Sequence, residues 1–160
     1  MKGRIEMNVE SSLIEAHIFR IVNDRMEFLL LKRAEYEKYP GIWQMVTGSI
    51  EDNEKAFEAA LREINEETGL TPLNFWVVPN INSFYWAEKD VVSTIPVFAA
   101  LVQPDANVLI SEEHSMFKWV DKNEALSLLA WPGQHRSVEI IHDYFIQKKY
   151  FLNFVEINIR

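Results

Sequence analysis

The stretch Gly48–Leu70, GSIEDNEKAFEAALREINEETGL, constrains this chain more than any other. A helix over residues 54–68 advances about 100° per residue, which puts Glu63, Glu66 and Glu67 on one face at i, i+3 and i+4. Like charges at that spacing destabilise an isolated helix by about 0.2–0.5 kcal/mol per pair. A hard divalent cation takes oxygen ligands and turns that cost into a binding site. Ala56, Phe57, Ala60, Leu61 and Ile64 make an apolar stripe on the other side, which must meet a core. Asp52 or Asn53 is placed to cap the first turn, Glu54 suits the helix dipole, and Gly69 is the expected left-handed stop. An acidic helix face by itself is also what an ordinary solvated helix presents.

Spacing separates the two readings. Gly48, five residues, Glu54, seven residues, then Arg62-Glu63-Ile64-Asn65-Glu66-Glu67-Thr68-Gly69-Leu70 resembles the Nudix box at every defined position. The resemblance implies an α/β fold, an α/β/α sandwich around a mixed sheet. It also implies a hydrolase that uses Mg²⁺ or Mn²⁺ to cleave a nucleoside diphosphate linked to another moiety. Glu63, Glu66 and Glu67 would then hold the metal, the Gly48 carbonyl would join them, and Arg62 would orient the acids. Glu54 reads either as a supporting acid at the cluster or as a plain helix-start charge.

Composition agrees and excludes alternatives. The 160 residues suit a single domain spanning 1–160, and 48% hydrophobic content supports a substantial core. The chain has no cysteine, so neither disulfides nor thiolate metal sites enter. Its net charge of −8 argues against a nucleic-acid duplex or an anionic membrane as partner. An anionic chain that binds polyphosphate beside carboxylates needs cations in between. The N-terminus lacks the apolar run of a signal peptide, and no 18 consecutive residues are apolar; a cytoplasmic protein is the expectation.

In chain order, a short strand is expected within residues 1–10. Strands are expected over 13–22 and 26–32, joined by a turn at Asn23-Asp24. A polar loop over 33–41 leads to a short strand over 42–46 and then to the box helix. Further strands are expected over 74–78, 81–86 and 91–102, with Pro96 marking an edge or a bulge. A strand over 117–120 and a helix capped by Asp121 follow, ended by Trp131-Pro132-Gly133. A helix over 136–149 and a terminal strand over 150–159 complete the chain. That last strand would close a sheet edge or make a homodimer contact.

An acid outside the box is needed to activate water. SEEHSMFKWVD resembles a pattern of the triphosphate-cleaving members and places Glu113 in that role, ahead of Glu112. An ordinary acidic turn is the alternative. Lys32 and Arg33 are candidates to neutralise phosphates, and Tyr39, Trp43 and Tyr85 to contact a base, although most aromatics in such a chain belong to the core. WQMVTGS before the box resembles the subgroup acting on dihydroneopterin triphosphate and dATP. Tyr85 keeps a dinucleoside polyphosphate substrate in view. The expectation is a pyrophosphohydrolase of a nucleoside or pterin triphosphate. Its rivals are a dinucleoside tetraphosphate hydrolase and a catalytically silent nucleotide sensor.

Overall fold

The computed structural model describes residues 6–160. The part of the N-terminal expectation falling on residues 1–5 lies outside the described residues. Strands β1 (Asn8–Glu10), β2 (Leu13–Val22) and β3 (Arg25–Arg33) come first, then β4 (Trp43–Gln44) and β5 (Val46–Ser49). Helix α1 (Ala56–Thr68) precedes β6 (Asn74–Trp86), β7 (Val91–Leu101) and β8 (His114–Val120). Helices α2 (Lys122–Leu128) and α3 (Pro132–Phe145) and strand β9 (Val155–Ile157) end the chain.

Among the described residues the strands form one mixed sheet ordered β4-β3-β2-β7-β6-β9, with β1 on β7, β5 on β2 and β8 on β3. Strand alternation divides β2 between the two faces. Ile14, Ala16 and Ile18 enter the core under α1, whereas Phe19 enters the core beneath α2 and α3. Helices therefore cover both faces, the expected sandwich.

The local signals explain most elements. Asn23 and Asp24 take φ of 50° and 62° and turn β2 into β3, as a two-residue hairpin with both φ positive requires. The Asp121 side chain accepts from the Glu124 N–H at 2.8 Å and starts α2. Gly69 ends α1 at φ 72°.

Five expectations are corrected, and the edge-or-bulge alternative at Pro96 is decided. Helix α1 begins at Ala56, not 54, and its N-cap is Lys55, not Asp52 or Asn53. Glu58 supplies the cap contact there, accepting from the Lys55 N–H at 3.3 Å. The strand over 42–46 is split at Met45, because Trp43–Gln44 pair with β3 while Val46–Ser49 pair with β2. The strands at 74–78 and 81–86 are one strand whose register shifts between Val77 and Ile81. Pro96 stands opposite Ile81 at that shift, so in this interior strand it marks a bulge and not an edge. Pro132 does not separate the last helices by a loop; it occupies the first turn of α3, where its missing N–H costs nothing. The terminal strand is only Val155–Ile157, on β6.

Candidate active site

Arg62 is the hub of the acidic helix. Its Nε and Nη2 donate to the two oxygens of Glu54 at 2.8 and 3.0 Å, a bidentate pair. Nη2 also donates to the Ser49 carbonyl at 2.8 Å. Nη1 donates to Glu63 Oε1 at 2.8 Å and to Glu66 Oε2 at 3.2 Å. These contacts use all five guanidinium donors. The bond to Glu54 contributes most to holding Arg62 charged, and the same bond holds the Glu54 carboxyl below its ordinary range.

The three box glutamates do not share one environment. Glu66 is 56% exposed, Glu63 is 14% exposed, and Glu67 is 3% exposed. The difference arises outside the helix. The segment before β8 crosses the end of α1, with Leu109 N–H on the Thr68 carbonyl at 2.9 Å and Ser111 N–H on the Glu67 carbonyl at 3.3 Å. That crossing brings Ser111, Glu112 and Glu113 to the rim of a cavity whose other wall is Glu63, Glu66 and Glu67.

Burial raises the Glu67 carboxyl to about 9, with the charges of Glu63 and Glu113 and hydrogen bonding to Glu113 adding to it. Glu67 Oε2 and Ser111 Oγ are buried without a hydrogen-bond partner among the described residues. Burial also raises Glu63, with the Arg62 hydrogen bond opposing it. The Glu63 carboxyl lies directly on Gly48: a Cβ there would stand 2.3 Å from Glu63 Cδ. No residue but glycine leaves that space.

A hard divalent cation suits this donor set, and the orphaned Glu67 oxygen is the observation that carries the fit. Among the described residues, no three acidic or imidazole groups already converge on one ligating point. Arg62 draws Glu63 and Glu66 toward itself, so the three glutamates line the cavity without meeting at one point.

His114 lies behind this wall, 4% exposed, with its Nε2 3.3 Å from Gln44 Nε2. Burial and the Arg33 charge push it down to about 4, so its ring is neutral at pH 7. An amide nitrogen donates, so His114 Nε2 accepts and Nδ1 carries the proton. Arg33 also lowers Glu67 through its charge. Its Nη2 is 3.4 Å from Glu37, within the loop that Ala34 N–H ties to the Glu113 carbonyl at 2.9 Å. Tyr36 OH donates to the Glu112 carbonyl in the same neighbourhood.

The structure thus brings together Gly48, Glu54, Arg62, Glu63, Glu66, Glu67 and Glu113, with Arg33 near by. Lys32, Tyr39, Trp43 and Tyr85 do not line the acidic cavity. Trp43 packs against the core beneath α2. Tyr85 donates to Asp90 at 2.6 Å within its own hairpin. Tyr39, at φ 54°, meets Trp131 edge-on at 5.5 Å. Sequence reasoning gave no role to Ser111 and Gln44, although both stand inside the quoted segments SEEHSMFKWVD and WQMVTGS. It also passed over Glu15 and His17, whose signal was two polar residues interrupting the apolar strand LIEAHIF.

The site is thus a box helix pinned by one arginine, over an acid-lined cavity and on a mixed sheet. Residues 13–144 match the NUDIX domain model, and the chain belongs to the Nudix hydrolase family. It is 36% identical over 118 residues to an octanoyltransferase of Myxococcus xanthus, covering 69% of this chain but only 31% of that protein. The chain therefore spans about a third of that relative's length. It is 26% identical over 127 residues to the asymmetrical bis(5'-nucleosyl)-tetraphosphatase of Rattus norvegicus, covering 78% of this chain and 84% of the relative. It is also 26% identical over 152 residues to the dihydroneopterin triphosphate diphosphatase of Escherichia coli (strain K12), covering 87% and 95%. A crystal structure of a C. elegans Ap4A hydrolase binary complex superposes with TM-score 0.71 at 20% identity, over 84% of this chain and 97% of that one. The structure of the E. coli dihydroneopterin triphosphate pyrophosphohydrolase does so with TM-score 0.65 at 22% identity, over 91% and 99%. At these identities the two structures speak for the fold.

Proposed function

We propose that this chain is a divalent-metal-dependent pyrophosphohydrolase that splits a nucleoside or pterin triphosphate into a monophosphate and pyrophosphate. The observation that carries this reading is the buried Glu67 carboxyl, its Oε2 without a hydrogen-bond partner, beside Glu113 in an acid-lined cavity. Glu63, Glu66 and Glu67, with the Gly48 carbonyl, would hold Mg²⁺ or Mn²⁺. Bound there, such an ion supplies charge neutralisation for the phosphates and lowers the pKa of water. Glu113 accepts the proton of the attacking water. Arg62 holds Glu54, Glu63 and Glu66 beside the cavity, and Glu63 and Glu66 would turn from it to share an ion with Glu67. Arg33 places positive charge beside the same wall.

The relative that cleaves dihydroneopterin triphosphate matches over nearly its whole length, which supports the triphosphate reading. The similar tetraphosphatases keep dinucleoside tetraphosphate as the second reading. A catalytically silent sensor has no use for a full set of acids. The test is turnover with Mg²⁺ or Mn²⁺ across nucleoside triphosphates, dihydroneopterin triphosphate and diadenosine tetraphosphate, with products separated by ion exchange. Pyrophosphate release supports the proposal. Release of orthophosphate alone, or no turnover with any of them, refutes it.

A further inference from the structure

Strand β8 does not run regularly into the acidic cavity. Its ladder with β3 pairs Lys32 with Met116 and then Arg33 with His114, which leaves Ser115 as the extra residue of a bulge. A bulge bends its strand and re-aims the side chains beyond it. Here it sets His114, and not Ser115, opposite Arg33. His114 is buried, and Glu113, the residue before it, is exposed at the cavity rim. The register ends at Arg33 and His114, so residues 112 and 113 must be held by something other than the ladder.

Two bonds from the loop after β3 hold them. The Ala34 N–H donates to the Glu113 carbonyl at 2.9 Å, and the Tyr36 hydroxyl donates to the Glu112 carbonyl. These carbonyls belong to the two peptides on either side of the Glu113 Cα. A peptide unit is planar, so holding both planes fixes φ and ψ of Glu113 and with them the direction of its Cβ. The loop is built to bear on them. At its base the Arg33 N–H donates to the Ile42 carbonyl at 2.9 Å and the Gly41 N–H to the Arg33 carbonyl at 3.0 Å. Inside it, Arg33 Nε donates to the Lys38 carbonyl and the Glu37 N–H to the Ala34 carbonyl. At its far end Lys38 Nζ lies 3.9 Å from Glu88, and Tyr39 meets Trp131. Tyr36 itself is 74% exposed, so core packing does not account for it. Its hydroxyl bond does.

We propose that Tyr36 is a positioning residue for Glu113: through the Glu112 carbonyl, its hydroxyl aims the carboxylate that takes the proton of the attacking water. The inference rests on the triphosphate reading for what Glu113 does, and on the contacts above for what holds Glu113 in place. Ala34 supplies its bond from the main chain. Tyr36 supplies the other from a side chain, so one oxygen atom can be removed without disturbing the loop. A strut of this kind depends on the hydroxyl, whereas a ring that stacks on substrate depends on the ring.

Tyr36→Phe deletes the oxygen and keeps the ring at an exposed position, so the variant is expected to fold. Steady-state kinetics with Mg²⁺ use the fastest substrate among the nucleoside triphosphates and dihydroneopterin triphosphate. There kcat is expected to fall about five- to tenfold, the size of one net hydrogen bond, with KM within about twofold of wild type. In a Glu113→Gln background the same substitution should lower kcat by less than about twofold, because the group it aims no longer takes a proton. A general loosening of the fold would lower both backgrounds alike. An unchanged kcat, a loss carried by KM, or equal losses in the two backgrounds overturns the inference. Amide hydrogen exchange on the free protein needs no turnover. The N–H groups of Ala34 and His114, bonded to the Glu113 and Ser111 carbonyls, should exchange about five- to tenfold faster in Tyr36→Phe while those of α1 keep their rates. Equal exchange at Ala34 and His114 also overturns it. A wild-type protein that hydrolyses no triphosphate refutes the hydrolase reading and the role of Glu113 together. An active enzyme that Tyr36→Phe leaves untouched refutes the strut alone.

Discussion

Glu67→Gln separates the cost of the acid cluster from its use. In the metal-free protein the Glu67 carboxyl sits at about 9, against 4.5 for an ordinary glutamate. Its folded value is raised, so the stability it contributes is complete below about pH 4.5 and is lost as pH rises toward 9. At about pH 8 the unfolded chain has gained the ionisation free energy of roughly 3.5 units and the folded chain almost none. At 1.36 kcal/mol per unit this amounts to a penalty on the order of 5 kcal/mol, an upper bound because neighbouring acids share it. Glutamine has the same shape and does not ionise. In EDTA, urea denaturation is therefore expected to find Glu67→Gln more stable than wild type by a few kcal/mol at pH 8 and nearly equal to it at pH 4.5. Turnover with Mg²⁺ should fall by orders of magnitude in the same variant. A variant no more stable than wild type at pH 8, or a stability gap that does not grow with pH, would refute the claim that this carboxyl is buried at the expense of the fold.

Three other substitutions and one ligand test the rest of the site. Gly48→Ala is expected to displace the Glu63 carboxylate and lower kcat by about a hundredfold, read by steady-state kinetics beside an unchanged far-ultraviolet dichroism spectrum. Arg62→Lys keeps the charge but loses the bidentate contact to Glu54 and the Ser49 bond, so it should not rescue the activity that Arg62→Ala removes. Glu113→Gln should cost about 10²–10⁴ in kcat with little change in KM, if it takes the water's proton. Mg²⁺ should raise the melting temperature more at pH 8 than at pH 6, because binding must first release the Glu67 proton; calorimetry in buffers of different ionisation enthalpy would count it.

Much of the site was legible because its spacing lies within a single helix. Arg62, Glu63, Glu66 and Glu67 hold their relative directions through helical geometry alone, and Gly48 and Glu54 are tied to them by a short loop. What could not be read was the inequality of the acids. Glu66 and Glu67 are adjacent in the chain, yet one is mostly in water and the other buried. The segment that makes the difference, Leu109 to Glu113, follows more than forty residues later. Tyr39 and Tyr85 were reasonable guesses for a base contact on exposure grounds, but neither reaches the acidic cavity.

Local chemistry in the sequence determined the box helix, its acids, the β2–β3 turn and the cap of α2, since each depends on residues within a few positions of one another. Tertiary structure alone decided which acid is desolvated, which glycine must stay bare beneath Glu63, and which buried oxygens are left without partners. Burial and pairing are set by what packs from elsewhere in the chain, and a carboxylate or an amide takes its chemistry from those surroundings.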